Sequence, residues 1–226
     1  ETLAEGRAVK DASEPNRIIV GTDSEKAKKI MFELYARFFF PGQERIHFMA
    51  RESAELTKYA CNTYLASQVV LTNTFANLAK RVGADWREMI PAILGDERIG
   101  RFVYPGPGYG GSCFGKDVAQ LTNSMVDFAS DPHDYDLLEA IQDQNDAQRA
   151  IMNRLVEEVY GPDLSGRTFG VWGLSFKKDT NDVRDAASLV TVPYLLSRGA
   201  KVNAHDPQAI AEFMEHMASE GVDTTN

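Results

Sequence analysis

The chain is poor in cysteine, in positive charge and in long apolar runs. Cys61 and Cys113 are the only cysteines in 226 residues. Two are too few for a disulfide scaffold, and a reducing cytosol is the simplest compartment, so a cytoplasmic location is expected. Lys and Arg number 24 against 33 Asp and Glu, a net charge of −9. A global positive field is therefore absent; neither nucleic acid nor membrane is expected as a partner, and an anionic small ligand needs a local cluster of bases. No apolar run approaches the roughly 20 residues that span a bilayer. The start, Glu1 to Gly6, has neither the basic residues nor the apolar stretch of a signal peptide. It also lacks an initiator Met, which suggests a fragment or a processed product. The histidines are scattered and no Cys, His or acid spacing suits a metal, so no metal is expected.

What is present is ordinary globular composition, 43% apolar and 25% charged. Asn16 to Gly21 reads as a buried strand after Pro15. Thr22, Asp23 and Ser24 offer caps to a helix from Lys26 to Phe39, stopped by Pro41-Gly42, and Ile46 to Met49 is a weak second strand. From Arg51 to about Ala84 no Pro occurs and no Gly before Gly83. Leu56, Tyr59, Thr63, Ala66, Val70, Phe75 and Leu78 keep a helical period, which predicts one helix about 50 Å long. Such a helix outruns a small domain and suits a connector or a subunit interface. Trp86 to Leu94 reads as a helix that Pro91 kinks or breaks. Lys116 to Phe128 and Tyr135 to Tyr160 read as further helices, the latter ended by Gly161-Pro162. Then Thr168–Leu174, Ala186–Leu196, Lys201–Pro207 and Ile210–Met217 alternate strand, helix, strand, helix, the order of a parallel sheet. The expected fold is α/β with a helical central domain, a long connecting helix and a partial Rossmann-like parallel sheet at the C-terminal end.

Gly106 to Gly111 satisfies G-x-G-x-x-G, but the charged Asp96 to Arg101 precedes it in place of a strand, so a dinucleotide fingerprint is disfavoured. A flexible surface loop is one reading. Another is a loop whose glycines pack closely on a ligand and present Cys113 at a helix start. A helix N-terminus favours the thiolate, the form that attacks, and Lys116 adds to this. Asp117, four residues on, can position or deprotonate water beside such a nucleophile. The plain alternative for Cys113 is a small buried hydrophobe, and Cys61 reads as core. Lys58 and Asn62 share a helix face, where a cation and an amide can hold an oxyanion; a solvated face is the alternative. Lys177 and Arg184 follow the strand at Thr168, where an open α/β sheet binds phosphates, or they are plain surface bases.

These segments, in order, resemble the UDP-glucose/GDP-mannose dehydrogenase family, and within it the UDP-glucose 6-dehydrogenases. Glu1-Thr2-Leu3-Ala4-Glu5-Gly6 is similar to the family's P-E-F-L-R-E-G without its Pro, and Pro15 to Gly21 to P-D-R-I-V-I-G. Glu55 to Asn62 is similar to E-L-x-K-Y-x-x-N, and Gly108 to Asp117 to G-Y-G-G-S-C-F-P-K-D. Trp172 to Lys177 and Thr180 to Arg184 resemble W-G-L-A-F-K and T-D-D-x-R. The resemblance implies oxidation of the C6 hydroxyl of a nucleotide sugar to a carboxylate with two NAD⁺ and one water. Cys113 is the implied nucleophile, through a thiohemiacetal and a thioester. Lys58 and Asn62 are implied to stabilise oxygen charge, and Asp117 and Glu5 to handle the water. Glu1, Arg98, Tyr109, Gly110 and Lys177 are implied substrate contacts, Arg98 across a homodimer interface, and Arg184 a cofactor contact. GDP-mannose and UDP-N-acetylhexosamine oxidation, or a non-catalytic dimerisation module, are the alternatives.

Three departures accompany the likeness. Gly115 stands where the family has Pro, and the span from Arg98 to Cys113 is one residue short. By the likeness, most of the family's N-terminal NAD-binding domain and the end of its nucleotide-sugar domain are expected to lie outside these residues. The expected layout is a remnant of the cofactor domain over 1–50, a central helical dimerisation and catalytic domain over 51–160, and a partial nucleotide-sugar domain over 161–226. A chain so divided is expected to be inactive by itself.

Overall fold

The computed structural model describes residues 6–39, 42, 45–100, 102–128 and 131–224. They form two compact units, one running to Cys61 and the other starting at Asn62.

In the first unit, α1 (Ala8–Ser13) leads to β1 (Ile18–Gly21), α2 (Glu25–Tyr35) and β2 (Ile46–Met49). The two strands pair in parallel, Ile18 opposite Ile46 and Gly21 opposite Met49. Ser24 caps α2, its hydroxyl accepting from the Ala27 N–H at 3.2 Å. The α-helix ends at Tyr35, four residues before the expected Phe39, and one 3₁₀ turn, Ala36–Phe38, finishes it. Gly21 leaves no room for a side chain: a Cβ there would lie 2.9 Å from Ala54.

The expected long helix is a single element, α3 (Arg51–Val82). The period predicted for it holds, but the burial follows only part of it. Thr63, Ala66 and Val70 are buried, whereas Phe75 and Leu78 join Tyr64, Leu71 and Val82 on an exposed face. Thr72 and Asn73 take the buried places instead, because they bond loop backbone: the Thr72 hydroxyl donates to the Phe102 carbonyl at 2.5 Å. α4 (Trp86–Leu94), capped by Asp85, runs through Pro91 as one helix, so the proline does not break it. Its Trp86 is buried and donates from Nε1 to the Val103 carbonyl at 2.9 Å.

In the second unit α5 (Phe114–Phe128) and α6 (Asp136–Arg149) pack with α3 around Ala66, Val70, Tyr109, Val118, Leu138 and Ile141. Burying each of Val70, Val118, Leu138 and Ile141 contributes about 1.5–3 kcal/mol. The helix expected over Tyr135 to Tyr160 is instead two, α6 and α7 (Ile151–Tyr160), parted at Ala150, whose φ and ψ of −90° and 11° leave the helical region. Gly161 ends α7 with φ 78° and ψ −179°, a conformation open essentially to glycine alone. β3 (Thr168–Trp172), α8 (Ser188–Ser197), β4 (Lys201–His205) and α9 (Ile210–Ser219) follow. β3 and β4 pair in parallel, Thr168 opposite Lys201, joined by the α8 crossover. Leu174, Val192, Phe213 and Met217 form its core, with Leu164, Leu195 and Ala200 beside it. The fold is α/β with a helical centre and a small parallel sheet at the C-terminal end. No helix among the described residues is long and apolar enough to cross a membrane.

Candidate active site

The glycine-rich loop is held by side-chain amides from two helices. The Gly106 N–H donates to Asn73 Oδ1 at 2.8 Å, and Gln148 Nε2 donates to the Gly106 carbonyl at 2.8 Å. Gln148 is itself held by Asn77 at 2.8 Å. The Tyr109 N–H donates to Asn145 Oδ1 at 2.7 Å, and Asn145 Nδ2 returns a bond to the Tyr109 carbonyl at 3.0 Å. Four amides on α3 and α6 thus fix a segment whose composition also reads as flexible. Satisfied buried amides of this kind specify one backbone path. The far side of the loop rests on the turn after β3, where the Gly111 N–H donates to the Arg184 carbonyl at 2.7 Å. Gly111 has φ 79°, and a Cβ on it would fall 2.7 Å from the Phe176 ring. Gly110 faces the Asp185 carbonyl with no room for a side chain.

Tyr109 places its ring in the core, edge-on to Phe114 at 5.6 Å. Burial, then the charges of Asp146 and Asp185, push its hydroxyl up to about 12, so it stays neutral.

The loop delivers Cys113 to the residue before α5, with its carbonyl accepting from the Asp117 N–H at 2.9 Å. The thiol is exposed, 3.8 Å from Ser112 Oγ. Asp117, one turn along, is 1% exposed. Its Oδ2 accepts from Asn62 Nδ2 at 2.5 Å, and its Oδ1 lies 3.4 Å from Lys116 Nζ. A buried carboxylate so held is fixed in place, since removing a partner strands its charge. Asn62, expected to face a sugar oxygen, has one of its amide hydrogens engaged on Asp117. Lys58 sits on α3 in the first unit, one turn before Asn62, and is partly buried. Cys61 is partly buried, 3.6 Å from an Arg17 nitrogen. Glu1 and Glu5 lie outside the described residues.

Two clefts flank the 182–186 turn and divide the bases expected to act together. Lys177 lines a cleft of about 490 Å³ with Gly108, Gly110, Trp172, Gly173 and Asp206. Arg184 lines one of about 700 Å³ with Gly111, Ser112, Lys116, Arg149 and His216. Lys177 is exposed, its ammonium 5.3 Å from the Phe176 ring centre. The Arg184 guanidinium bonds Asp182 at 2.8 and 2.6 Å and holds that carboxyl below the usual range against the opposing effect of burial. Arg98 lies outside both clefts. It is exposed, bonded to Asp96 at 2.8 Å, and borders an apolar groove with Tyr64, Leu71, Phe75 and Phe102.

Sequence reasoning missed Asn145, Arg149, Asp185 and Asp206. Asn145 and Arg149 carry the one available signal, four residues apart on a helix and so on one face. Asp206 directly follows β4, where an acid in such folds often meets a ribose. Here its carboxylate is consumed by the protein. Burial pushes its pKa up, and N–H donors from Leu174, Gln208, Ala209 and Ser175 outweigh that and hold it down at about 2. Among the described residues no group of three or more His, Cys, Asp or Glu is arranged to bind a metal.

Comparison with known proteins gives a consistent family. The UDP-glucose/GDP-mannose dehydrogenase family's central domain matches residues 52–147, and its UDP binding domain matches 170–226. The chain is 39% identical over 212 residues to a UDP-glucose 6-dehydrogenase of Pseudomonas aeruginosa, covering 93% of this chain and 46% of that protein. It is 41% identical to UDP-glucose 6-dehydrogenase TuaD of Bacillus subtilis, covering 94% of this chain and 44% of that protein. A solved UDP-glucose dehydrogenase from Pyrobaculum islandicum superposes with a TM-score of 0.85 at 34% identity, over 96% of this chain and 49% of that one. The chain therefore spans about half the length of the curated relatives it matches. With its parallel strand–helix–strand unit, long central helix and both matched domains, the chain belongs to the UDP-glucose/GDP-mannose dehydrogenase family.

Proposed function

We propose that this chain carries the catalytic thiol and nucleotide-sugar site of a cytoplasmic UDP-glucose 6-dehydrogenase, which oxidises UDP-glucose to UDP-glucuronate. The observation that carries this reading is an exposed Cys113 just before α5, with a buried Asp117, held by Asn62, one turn along. In this reading the Cys113 thiolate adds to the C6 aldehyde and holds it as a thiohemiacetal, so that it cannot escape. After oxidation the same sulfur holds the acid as a thioester. Asp117, anchored by Asn62, positions the water that cleaves it, and the sulfur leaves as thiolate. Lys58, four residues before Asn62 on α3, is given the stabilisation of oxygen charge by the family likeness, and Glu5 a share in handling water. Glu1 and Arg98 are further proposed substrate contacts. Lys177 suits the diphosphate of the substrate as a charge-assisted donor, and Tyr109 and Gly110 present loop backbone to the sugar.

NAD, when bound, accepts the hydride that leaves C6. The residues here fit a phosphate-bearing cofactor: Lys116 and Arg184 line one cleft beside Ser112. In this reading they hold its charge against the thiol loop.

The exposed face of α3 supports a homodimer. Tyr64, Leu71, Phe75 and Ile99 border a groove of about 380 Å³, and Leu71 and Phe75 are each 53% exposed. A contiguous apolar surface of this kind marks an interface, and a second copy presents the same stripe.

Calorimetry with UDP-glucose, GDP-mannose and UDP-N-acetylglucosamine tests the substrate. UDP-glucose binding most tightly, and weakening at least tenfold in Lys177→Ala, supports the reading; a preference for GDP-mannose overturns it. Because the chain spans about half of its relatives, turnover is proposed for the whole family protein. The 226 residues alone are expected to give no steady-state NADH with UDP-glucose, and ordinary enzyme rates contradict this.

A further inference from the structure

The break in the helix at Ala150 leaves Arg149 as the last residue of α6, between the residues matched by the two family domains. Its side chain is only 17% exposed, and Nη1 lies 3.5 Å from Asp185 Oδ1 and 3.6 Å from Asp146 Oδ1. Its Cγ lies 3.1 Å from the place a Gly108 Cβ would take, so the same side chain also packs on the glycine loop. Asp185 holds a left-handed backbone at φ 51°, uncommon for a non-glycine residue and most accessible to Asp and Asn. In that conformation its carbonyl abuts Gly110, and the neighbouring Arg184 carbonyl receives the Gly111 N–H at 2.7 Å. Two residues further along the loop is Cys113.

We propose that the Arg149–Asp185 ion pair is a positioning device for the Cys113 thiol. Arg149 neutralises and anchors the Asp185 carboxylate, which fixes the 184–185 backbone in the one arrangement that seats Gly110 and Gly111. The thiol then stands at a set place relative to α5. Because Arg184 and Asp185 both line the cleft that holds Lys116, charge arriving in that cleft acts on the same turn that seats the loop. Neither residue touches the reacting atoms, and the inference rests on Cys113 being the working thiol.

The experiment uses the 226-residue chain with Cys61→Ser, so that Cys113 is the one thiol. Two quantities are read: hydrogen exchange of the Gly111 amide, and the rate constant for Cys113 alkylation by iodoacetamide between pH 6 and 9. In Arg149→Met the Gly111 amide is expected to exchange at least tenfold faster. The alkylation profile is expected to shift at least fivefold in rate, while exchange of β3 and β4 amides is unchanged. Arg149→Lys is expected to restore both readouts to within twofold. Asp185→Asn, which tolerates a left-handed backbone, removes the pair from its other end and is expected to behave as Arg149→Met. Unchanged Gly111 exchange and Cys113 alkylation in either variant overturn the proposal. So does loss of the whole fold in both, since that assigns the pair to general stability. The functional reading fails separately: UDP-glucose leaving wild-type Cys113 alkylation unaltered counts against the substrate and leaves the positioning result standing.

Discussion

Replacing Asp206 by Asn perturbs the turn that shapes the Lys177 cleft. The carboxylate is 6% exposed and receives N–H groups from Leu174 at 2.8 Å, Gln208 at 2.8 Å, Ala209 at 2.8 Å and Ser175 at 3.3 Å. Its pKa is about 2 in the folded chain. Against an ordinary unfolded value near 3.9, and at about 1.36 kcal/mol per unit, the charge contributes roughly 2–3 kcal/mol at neutral pH. The folded value is the depressed one, so this stability is fully present above pH ~4–5 and is lost as pH falls through about 2; about half remains at pH ~3. An Asn cannot accept all four donors and turns an N–H towards some of them. Urea unfolding followed by circular dichroism, run on both proteins from pH 7 to pH 3, reads the difference. The gap is expected near 2–3 kcal/mol at pH 7 and to shrink by about half at pH 3. A gap that stays constant over that range, or none at pH 7, refutes the assignment of charge to these bonds.

Three other perturbations have expected outcomes. Asn62→Ala removes the amide that holds the buried Asp117 carboxylate, and thermal melts are expected to show a loss of about 1–3 kcal/mol. Gly111→Ala meets both a left-handed backbone and the Phe176 ring, and a loss of at least about 2 kcal/mol with exposure of the loop to protease is expected. Phe75→Glu charges the exposed stripe of α3; light scattering is expected to give monomers with an unchanged far-ultraviolet spectrum, and persisting dimers locate the interface elsewhere.

The C-terminal part of the fold was legible because its elements are bounded by strong local signals. An apolar run ended by Gly173 gives β3, Asp206-Pro207 closes β4, and even Pro193 leaves α8 intact. The Ala150 break was not legible, since neither Gly nor Pro marks it in the sequence. For α3 the period identifies a helix but not which of two apolar stripes meets the core. The buried choice falls on Ala66 and Val70, with Asn73 facing inward because Gly106 needs an acceptor. At the site, spacing alone links Cys113 to Asp117. The partner that fixes Asp117 is Asn62, 55 positions away in sequence, and that pairing exists only in three dimensions. Asp185 drew no reading from the sequence, because its backbone conformation and its contact with Gly110 leave no trace there. Asp206 looked like the end of a strand for the same reason.

The most direct test of the account is protection of Cys113 by substrate. The 226-residue chain is alkylated near neutral pH with and without saturating UDP-glucose, and the two cysteines are resolved by peptide mass spectrometry. Cys113 is expected to react faster than Cys61, and UDP-glucose, but not glucose, is expected to slow Cys113 at least tenfold while leaving Cys61 unchanged. Equal sluggishness of the two thiols, or a Cys113 rate indifferent to UDP-glucose, contradicts a sugar carbon seated at that sulfur.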